Sequence, residues 1–267
     1  MIALDAETMS ATGFSEFAFS DGDIEHPVFR TGDGPGVVIM HELPGMTKAC
    51  TAFAEEAARE FTVFLPLMFG KPGDYAPLRA LARLCIGREF KLFAQGGGSP
   101  IADWMRALCR KIHQECGGPG VGVIGMCLTG NFAISLMADP SVLAPVASQP
   151  SLPLGLSRRS REALAVTRTE MSAATARAQA GVTLLGLRFS DDRLCPRERF
   201  ATLRHTFGPA FVEIEIDSSK RNRWGIRPDA HSILTDEFVD ESGHPTREAR
   251  DAVLAFFRQK LTGSPTV

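Results

Sequence analysis

Residues 121–130 read Val-Gly-Val-Ile-Gly-Met-Cys-Leu-Thr-Gly, and this stretch decides the fold. Four mostly apolar residues lead into Gly125, and a second apolar stretch, residues 132–137, follows Gly130. The pattern predicts a buried strand, a tight turn and a buried helix, with the Cys127 thiol at the apex of the turn. Gly125 is needed in this arrangement because nearly any side chain there would collide with the returning helix.

The predicted position of Cys127 suits a nucleophile. In the related Gly-x-Ser-x-Gly turn, the same crowding holds a serine nucleophile in a strained backbone above a sheet. A thiolate at a helix N-terminus is also stabilised by the positive end of the helix dipole and by unpaired N–H groups. Taken alone, the pattern fits a small buried cysteine equally well, so the rest of the sequence has to decide.

Length and charge limit the class of protein. A chain of 267 residues can form one large α/β domain or two small ones. A formal net charge of −2 gives no electrostatic case for nucleic acid or for an acidic membrane surface as partner. The sequence has no run of 18 apolar residues, so no membrane span is predicted. The acidic N-terminus lacks the pattern of a signal peptide. We therefore expect a cytoplasmic protein.

Cysteine spacing argues against a structural metal. The chain has six cysteines and no Cys-x-x-Cys pair, which predicts reduced thiols and gives a structural zinc site little support. The pair His41-Glu42 lacks the second histidine of the His-Glu-x-x-His zinc helix, so a metalloprotease is also disfavoured. We therefore expect no metal site.

Strand-like and helix-like patterns alternate along the chain. A hairpin is predicted from residues 17–19, a turn at residues 21–23 and a second strand at residues 24–29. Six short apolar runs follow, each expected to be covered on both faces: residues 37–40, 62–65, 121–124, 143–148, 182–187 and 211–216. Four stripes of core residues recur at helical spacing between or after these runs: Met46, Cys50, Phe53, Ala57 and Phe61; Trp104, Leu108 and Ile112; Phe200, Leu203 and Phe207; Ala249, Val253, Phe256 and Leu261.

This alternation predicts a doubly wound, mostly parallel α/β sheet in a single domain, residues 1–267. Residues 66–100 are the least regular part of the chain, with several glycines and prolines. We expect them to cross the top of the sheet and to form the floor of a substrate pocket.

A thiol nucleophile needs a base for its proton, and the base needs an orienting acid. Asp191 and Asp192 follow the predicted strand 182–187, and His231 follows the predicted strand 211–216. The order nucleophile, acid, histidine is the one that this kind of sheet uses. Considered on its own, Asp192 could belong to the start of the helix after Pro196, and His231 could be an exposed loop residue.

The loop after the first parallel strand can supply an oxyanion hole. The strand 37–40 runs into His41-Glu42-Leu43-Pro44-Gly45. In such a fold the backbone N–H groups of Leu43 and Leu128 would bind the developing oxyanion. Glu42, at the mouth of this loop, could accept a hydrogen bond from a neutral thiol, or it could be a surface acid.

These motifs together resemble the dienelactone hydrolase family, the Cys-His-Asp branch of the α/β-hydrolase fold, across residues 14–260. The motifs that carry the resemblance are Gly125-Met126-Cys127-Leu128-Thr129-Gly130, His41-Glu42, Asp192-x-x-x-Pro196 and Ala230-His231-Ser232. The resemblance implies a sheet of about seven or eight strands, a Cys127–Asp192–His231 triad and cofactor-free hydrolysis of a small ester or enol-lactone. It also implies that Glu42 holds the thiol at rest until substrate displaces it, which protects the thiol from oxidation.

The chain departs from the family pattern in two places. Thr129 stands where these enzymes usually have glycine, which adds bulk beneath the nucleophile. Thr235, followed by Asp236, stands where they carry an arginine that pairs with the substrate carboxylate. Arg88 is a candidate second anchor, although pairing with its neighbour Glu89 is the simpler interpretation.

Two other functions compete with the hydrolase. The first is a binding protein that keeps the hydrolase fold and pocket without turnover, since fold alone does not fix function. The second is a thiol redox sensor built on Cys127, for which the nearest cysteine, Cys116, is a poor partner at roughly 25–30 Å along an extended strand. The hydrolase interpretation is favoured, with a small-molecule substrate and a monomer or small homo-oligomer.

Overall fold

The computed structural model describes residue 9 and residues 13–43, 45–70, 72, 100–152 and 157–263. Most of the irregular segment 66–100, including Arg88, lies outside the described residues, so the expectation that it forms the pocket floor stays a prediction. The eight strands of the described chain are β1 Ser15–Asp21, β2 Ile24–Thr31, β3 Gly36–Met40, β4 Thr62–Pro66, β5 Val121–Met126, β6 Val142–Ser148, β7 Leu184–Phe189 and β8 Phe211–Ile216.

These strands form one sheet in the order β1-β2-β4-β3-β5-β6-β7-β8. The predicted hairpin is confirmed: β1 and β2 are antiparallel, with Asp21 opposite Ile24 across the tight turn. Strand β2 is antiparallel to β4, and every pair from β4 to β8 is parallel. The expected sheet of seven or eight mostly parallel strands is therefore confirmed.

Helices cover both faces of this sheet. They are α1 Lys48–Ala57, α2 Pro100–Cys116, α3 Gly130–Leu136, α4 Arg158–Glu162, α5 Arg168–Gln179, α6 Arg197–Phe207 and α7 Pro245–Thr262. Side chains of β3 alternate between the layers, because successive residues of a strand point to opposite faces. Val38 and Met40 join the core beneath α2, α3, α5 and α6, whereas Val37 and Ile39 join the core beneath α1 and α7.

The predicted helix stripes are buried, with one exception. On α7, Phe256 is only partly buried, and Phe257 is completely buried in its place. Phe257 lies four residues after Val253 and four before Leu261, so it continues the helical face that those two residues define. Helix α6 begins after Pro196 and ends before Gly208.

The last strand corrects the expectation that every parallel strand is covered on both faces. Strand β8 lies at the edge of the sheet, and Val212 is 47% exposed. Two of its glutamates pair with arginines, Glu213 with Arg204 and Glu215 with Arg188. An edge strand has a neighbour on one side alone, so polar residues can alternate with apolar ones there. Strand β7 also begins and ends two residues later than the run 182–187.

Parallel strands place their carboxyl ends at one edge of the sheet, and the loops that follow β3, β5, β6, β7 and β8 meet there. Each candidate catalytic residue in the described chain lies in one of these loops. In the part of the chain that the structure describes, no helix combines the length and the apolar content needed to cross a membrane.

Candidate active site

The turn after β5 holds Cys127 in a left-handed backbone conformation, with φ at 57°. A non-glycine residue in this region costs roughly 1–3 kcal/mol, so the surrounding packing must maintain it. A Cβ atom built on Gly125 would lie 2.0 Å from the carbonyl oxygen of Thr129, and one on Gly130 would lie 2.8 Å from Cα of Pro150. Both glycines are therefore required, as predicted for Gly125.

Thr129 ties this turn to the end of the neighbouring strand. Its side chain is completely buried, and its hydroxyl accepts a hydrogen bond from the backbone N–H of Met126 at 2.9 Å. The same hydroxyl lies 3.0 Å from the carbonyl oxygen of Met40, the last residue of β3. The bulk that threonine adds beneath Cys127 thus holds this turn against β3.

His231 and Asp192 form a buried hydrogen-bonded pair. Nδ1 of His231 lies 2.7 Å from Oδ2 of Asp192, whose side chain is almost fully buried. The other carboxylate oxygen accepts the backbone N–H of Leu194 at 2.8 Å. The neighbouring Asp191 is exposed, and its backbone N–H donates to Ser218. The geometry therefore selects Asp192 over Asp191 as the carboxylate that orients the histidine.

The other ring nitrogen of His231 faces the thiol. Nε2 is buried and has no hydrogen-bond partner among the described residues. Sγ of Cys127 lies within 4.8 Å of a ring nitrogen of His231 and of a carboxylate oxygen of Glu42. Burial lowers the pKa of His231, but the hydrogen bond to Asp192 and the interaction with Cys127 outweigh it and raise that pKa well above its usual value.

Ser151 is the hydrogen-bond partner of the thiol, at 3.0 Å between Oγ and Sγ. Its backbone is fixed by a hydrogen bond from its own N–H to the carbonyl of Cys127 and by one from the side chain of Asn131 to its carbonyl oxygen. The sequence analysis missed this residue. The signal that could have found it is its position, three residues after the end of β6 at the carboxyl edge of the sheet.

Glu42 is buried, with side-chain donors around its carboxylate. Ser232 donates to Oε2 at 2.8 Å, Gln149 donates to the same oxygen at 3.3 Å, and Thr235 donates to Oε1. Burial raises the pKa of Glu42, against the opposing effect of the Thr235 hydrogen bond and of His231. The expected hydrogen bond from the thiol to Glu42 is not formed, because the thiol contacts Ser151 and Glu42 has these other donors.

The sequence profile described as the dienelactone hydrolase family matches residues 26–259. The chain belongs to the dienelactone hydrolase family. No protein in a search of curated sequences matches this chain.

Solved structures show the fold of this dienelactone hydrolase family member. A proposed dienelactone hydrolase from Klebsiella pneumoniae subsp. pneumoniae MGH 78578 is 17% identical, with a TM-score of 0.64 over 92% of this chain and 98% of that one. P91, a dienelactone hydrolase-like promiscuous phosphotriesterase from metagenomic libraries, is 17% identical, with a TM-score of 0.60 over 93% and 98%. An alpha-beta serine hydrolase homologue from Coxiella burnetii is 10% identical, with a TM-score of 0.53 over 90% and 95%. The α/β-hydrolase fold is confirmed, and family and fold together support a hydrolase.

Within the family pattern, Thr235 takes a different role from the expected arginine. Its hydroxyl points to Glu42, so this position contributes to a buried polar cluster and supplies no cation for a substrate carboxylate. Arg88, the other candidate anchor, lies outside the described residues. Leu43 directly follows Glu42, and Leu128 is the second residue of the short 3₁₀ turn Cys127–Thr129. Their role as oxyanion-hole donors stays a prediction.

His41 shapes the loop that carries Glu42. It is completely buried, and burial lowers its pKa to about 4, so the ring is neutral at physiological pH. Its Nε2 accepts the backbone N–H of Met68 at 3.1 Å, which leaves Nδ1 to donate to the carbonyl of Glu42 at 3.3 Å. This histidine is therefore a structural link between the loops after β3 and β4.

Arg199, which the sequence analysis also missed, joins the loops after β6 and β7. Its guanidinium is completely buried and donates to four backbone carbonyls, those of Pro150, Ser160, Ala163 and Leu194. The contacts with Pro150 at 2.8 Å and Leu194 at 2.9 Å connect the Ser151 segment to the loop that holds Asp192.

Proposed function

We propose that this protein hydrolyses a small ester or lactone through a Cys127–His231–Asp192 triad. The observation that carries the proposal is the arrangement of His231. Asp192 holds one ring nitrogen at 2.7 Å, and the other is buried, unpaired among the described residues and directed toward a thiol in a strained turn. Nucleophile, base and orienting acid are thus within reach of one another, which is the requirement for nucleophilic catalysis.

The first half of the reaction forms an acyl-enzyme. The thiol proton passes to Nε2 of His231, and Sγ of Cys127 attacks the substrate carbonyl carbon. Asp192 stabilises the resulting imidazolium, in line with the raised pKa of His231. Collapse of the tetrahedral intermediate breaks the bond to the leaving oxygen, which takes the proton from His231, and leaves a thioester on Cys127.

Water then completes the cycle. His231 removes a proton from a water molecule, the hydroxide attacks the thioester, and the acid product leaves as the proton returns to the thiol. The backbone N–H groups of Leu43 and Leu128 would bind the negative oxygen in both tetrahedral intermediates. Two such donors typically contribute about 3–4 kcal/mol each to lowering the barrier.

Ser151 and Glu42 divide the resting-state role that the family pattern assigns to the glutamate alone. The hydroxyl of Ser151 holds the resting thiol, and Glu42 places a carboxylate within 4.8 Å of it. Because Thr235 supplies no cation and Asp236 lies close to Glu42, the described part of the site favours an acyl group without a carboxylate.

Hydrolysis assays with matched cysteine variants test the proposal. The substrates are a short-chain p-nitrophenyl ester and a dienelactone, and the proteins are the wild type, Cys127→Ala and the control Cys109→Ala. Wild type and the control should hydrolyse at least one substrate, and Cys127→Ala should lose at least about a thousandfold in kcat/KM. Turnover by Cys127→Ala at the wild-type rate would rule out the triad. A wild type that binds but never hydrolyses these compounds would favour the non-catalytic binding protein.

A further inference from the structure

We propose that Cys127, His231 and Glu42 form a Zn²⁺ site at which zinc reversibly inhibits the protein. One potential ligand atom from each residue, a sulfur, a ring nitrogen and a carboxylate oxygen, lies within 4.8 Å of both others. The three residues come from the loops after β5, β8 and β3. These residues are far apart in the sequence and share no spacing motif. Only the fold of the sheet brings them together.

The donor set selects the metal. Zn²⁺ is bound in proteins by cysteine thiolate, histidine nitrogen and carboxylate oxygen, whereas Ca²⁺ and Mg²⁺ take oxygen ligands almost exclusively. Sulfur, nitrogen and oxygen together therefore fit zinc. Three protein ligands also leave the fourth tetrahedral position open for water, as in zinc sites that exchange ligands.

A second observation, independent of the clustering, concerns His231. Its Nε2 is buried without a hydrogen-bond partner in the described part of the chain. Its Nδ1 is held by Asp192 at 2.7 Å. Histidines that ligate zinc almost always donate the other ring N–H to a carboxylate, a backbone carbonyl or water, which fixes the ring and raises its basicity. Asp192 supplies that outer contact before any metal arrives.

Glu42 is oriented in the same way. Hydrogen bonds from Ser232 and Thr235 fix its carboxylate while it stays within 4.8 Å of the thiol sulfur. Zinc ligands lie about 2.0–2.3 Å from the ion, so ligand atoms in a tetrahedron are roughly 3.3–3.8 Å apart. A contraction of up to about 1.5 Å between ligand atoms, which includes rotation of the Cys127 side chain away from Ser151, would complete the site.

Zinc binding displaces the proton of each ligand that carries one and transfers no electrons. The S–H bond of Cys127 breaks, the proton goes to solvent, and a sulfur–zinc bond forms. Metal affinity therefore increases with pH. Zinc occupies both the nucleophile and the base, so its inhibitory effect rests on the function proposed above, whereas binding itself does not. A coordinated thiolate is also shielded from oxidation.

Competition with a chromophoric chelator tests the binding without any turnover. Wild-type protein should bind one Zn²⁺ per chain. Cys127→Ala and Glu42→Gln should each bind at least about tenfold more weakly, and Asp192→Asn about 10–100-fold more weakly. The matched controls Asp191→Asn and Cys109→Ala should bind as the wild type does. Co²⁺ should give a thiolate charge-transfer band in the wild type that Cys127→Ala lacks.

Three outcomes would overturn the proposal in whole or in part. Absence of stoichiometric Zn²⁺ binding by the wild type removes the site. Equal affinity in the wild type, Glu42→Gln and Cys127→Ala places the metal elsewhere on the protein. Zinc that binds with the expected variant pattern but leaves ester hydrolysis unchanged contradicts the inhibition. A protein that hydrolyses no ester yet shows that binding pattern contradicts the proposed function and leaves the metal site standing.

Discussion

Two buried cysteines of this protein share the same core and differ in everything else. Cys109 lies inside α2, is completely buried, and has its thiol pKa raised by burial. Cys127 is 7% exposed and belongs to the same hydrophobic cluster, yet it occupies a left-handed turn at the carboxyl end of β5. The difference lies in the neighbours, since Cys127 contacts the Ser151 hydroxyl and has the His231 ring within 4.8 Å.

This comparison shows why burial and residue type alone do not identify a nucleophile. Apolar surroundings favour the neutral thiol, which neither attacks a carbonyl nor binds a metal. Polar partners from other loops and a strained backbone distinguish Cys127, and each of these features can be removed separately by mutation.

The largest effect should come from the acid behind the histidine. Asp192→Asn keeps the size of the side chain but removes the charge and changes which ring nitrogen of His231 carries the proton. We expect kcat for ester hydrolysis to fall about 10²–10⁴-fold. Asp191→Asn, one residue away and exposed, should keep wild-type activity. Full activity in Asp192→Asn would mean that His231 needs no acid and would remove a main contrast with Cys109.

A smaller effect should come from the hydroxyl that contacts the thiol. Ser151→Ala removes one hydrogen bond, which is worth about 1 kcal/mol, or roughly a five- to tenfold change in rate. The rate of Cys127 alkylation by iodoacetamide at neutral pH, followed by mass spectrometry, should change by that factor. Cys109 should stay unmodified in the native protein.

Ser141→Ala is the matched control, because Ser141 is also buried and precedes β6, whereas Ser151 follows it. Its hydroxyl bonds Asp139 and lies far from the thiol along the strand. An alkylation rate in Ser151→Ala equal to that in Ser141→Ala would show that the contact with Ser151 does not tune the thiol.

The smallest effect concerns backbone strain and should differ in sign between the two cysteines. At Cys127, with φ at 57°, glycine should make the protein more stable than alanine by about 1 kcal/mol in urea unfolding. At Cys109, inside a helix, glycine should be less stable than alanine by about 1 kcal/mol. The same sign at both positions would contradict the strained turn.

Local sequence patterns predicted most of the fold. The turn at Cys127, the alternation of apolar runs and helical stripes, and the hairpin follow from chain-local rules, and the structure agrees with them. The sequence did not predict that Phe257 rather than Phe256 is buried, because both residues suit an amphipathic helix. Packing alongside Val253 and Leu261 decides between them. The open edge at β8 depends on strand order, which a single chain pattern does not specify.

Site residues that follow a strand could be predicted from the sequence. Residues whose role depends on a contact with a side chain from another segment could not. Asp192 and His231 follow β7 and β8, so topology alone brings them to Cys127. Ser151 also follows a strand, but a serine is common in loops and its position alone did not single it out. Arg199 lies inside a helix, where an arginine gives no signal. Their roles depend on contacts between segments that are distant in sequence.

The most direct test of the central claim is to trap the covalent intermediate. Wild-type protein is mixed with a short-chain p-nitrophenyl ester, quenched in acid within the first turnovers, digested and analysed by mass spectrometry. The account predicts one acyl group per chain on the peptide that contains Cys127, together with a burst of p-nitrophenol of equal amount. Steady hydrolysis with an acyl group on another residue, or with the same burst in Cys127→Ala, would contradict it.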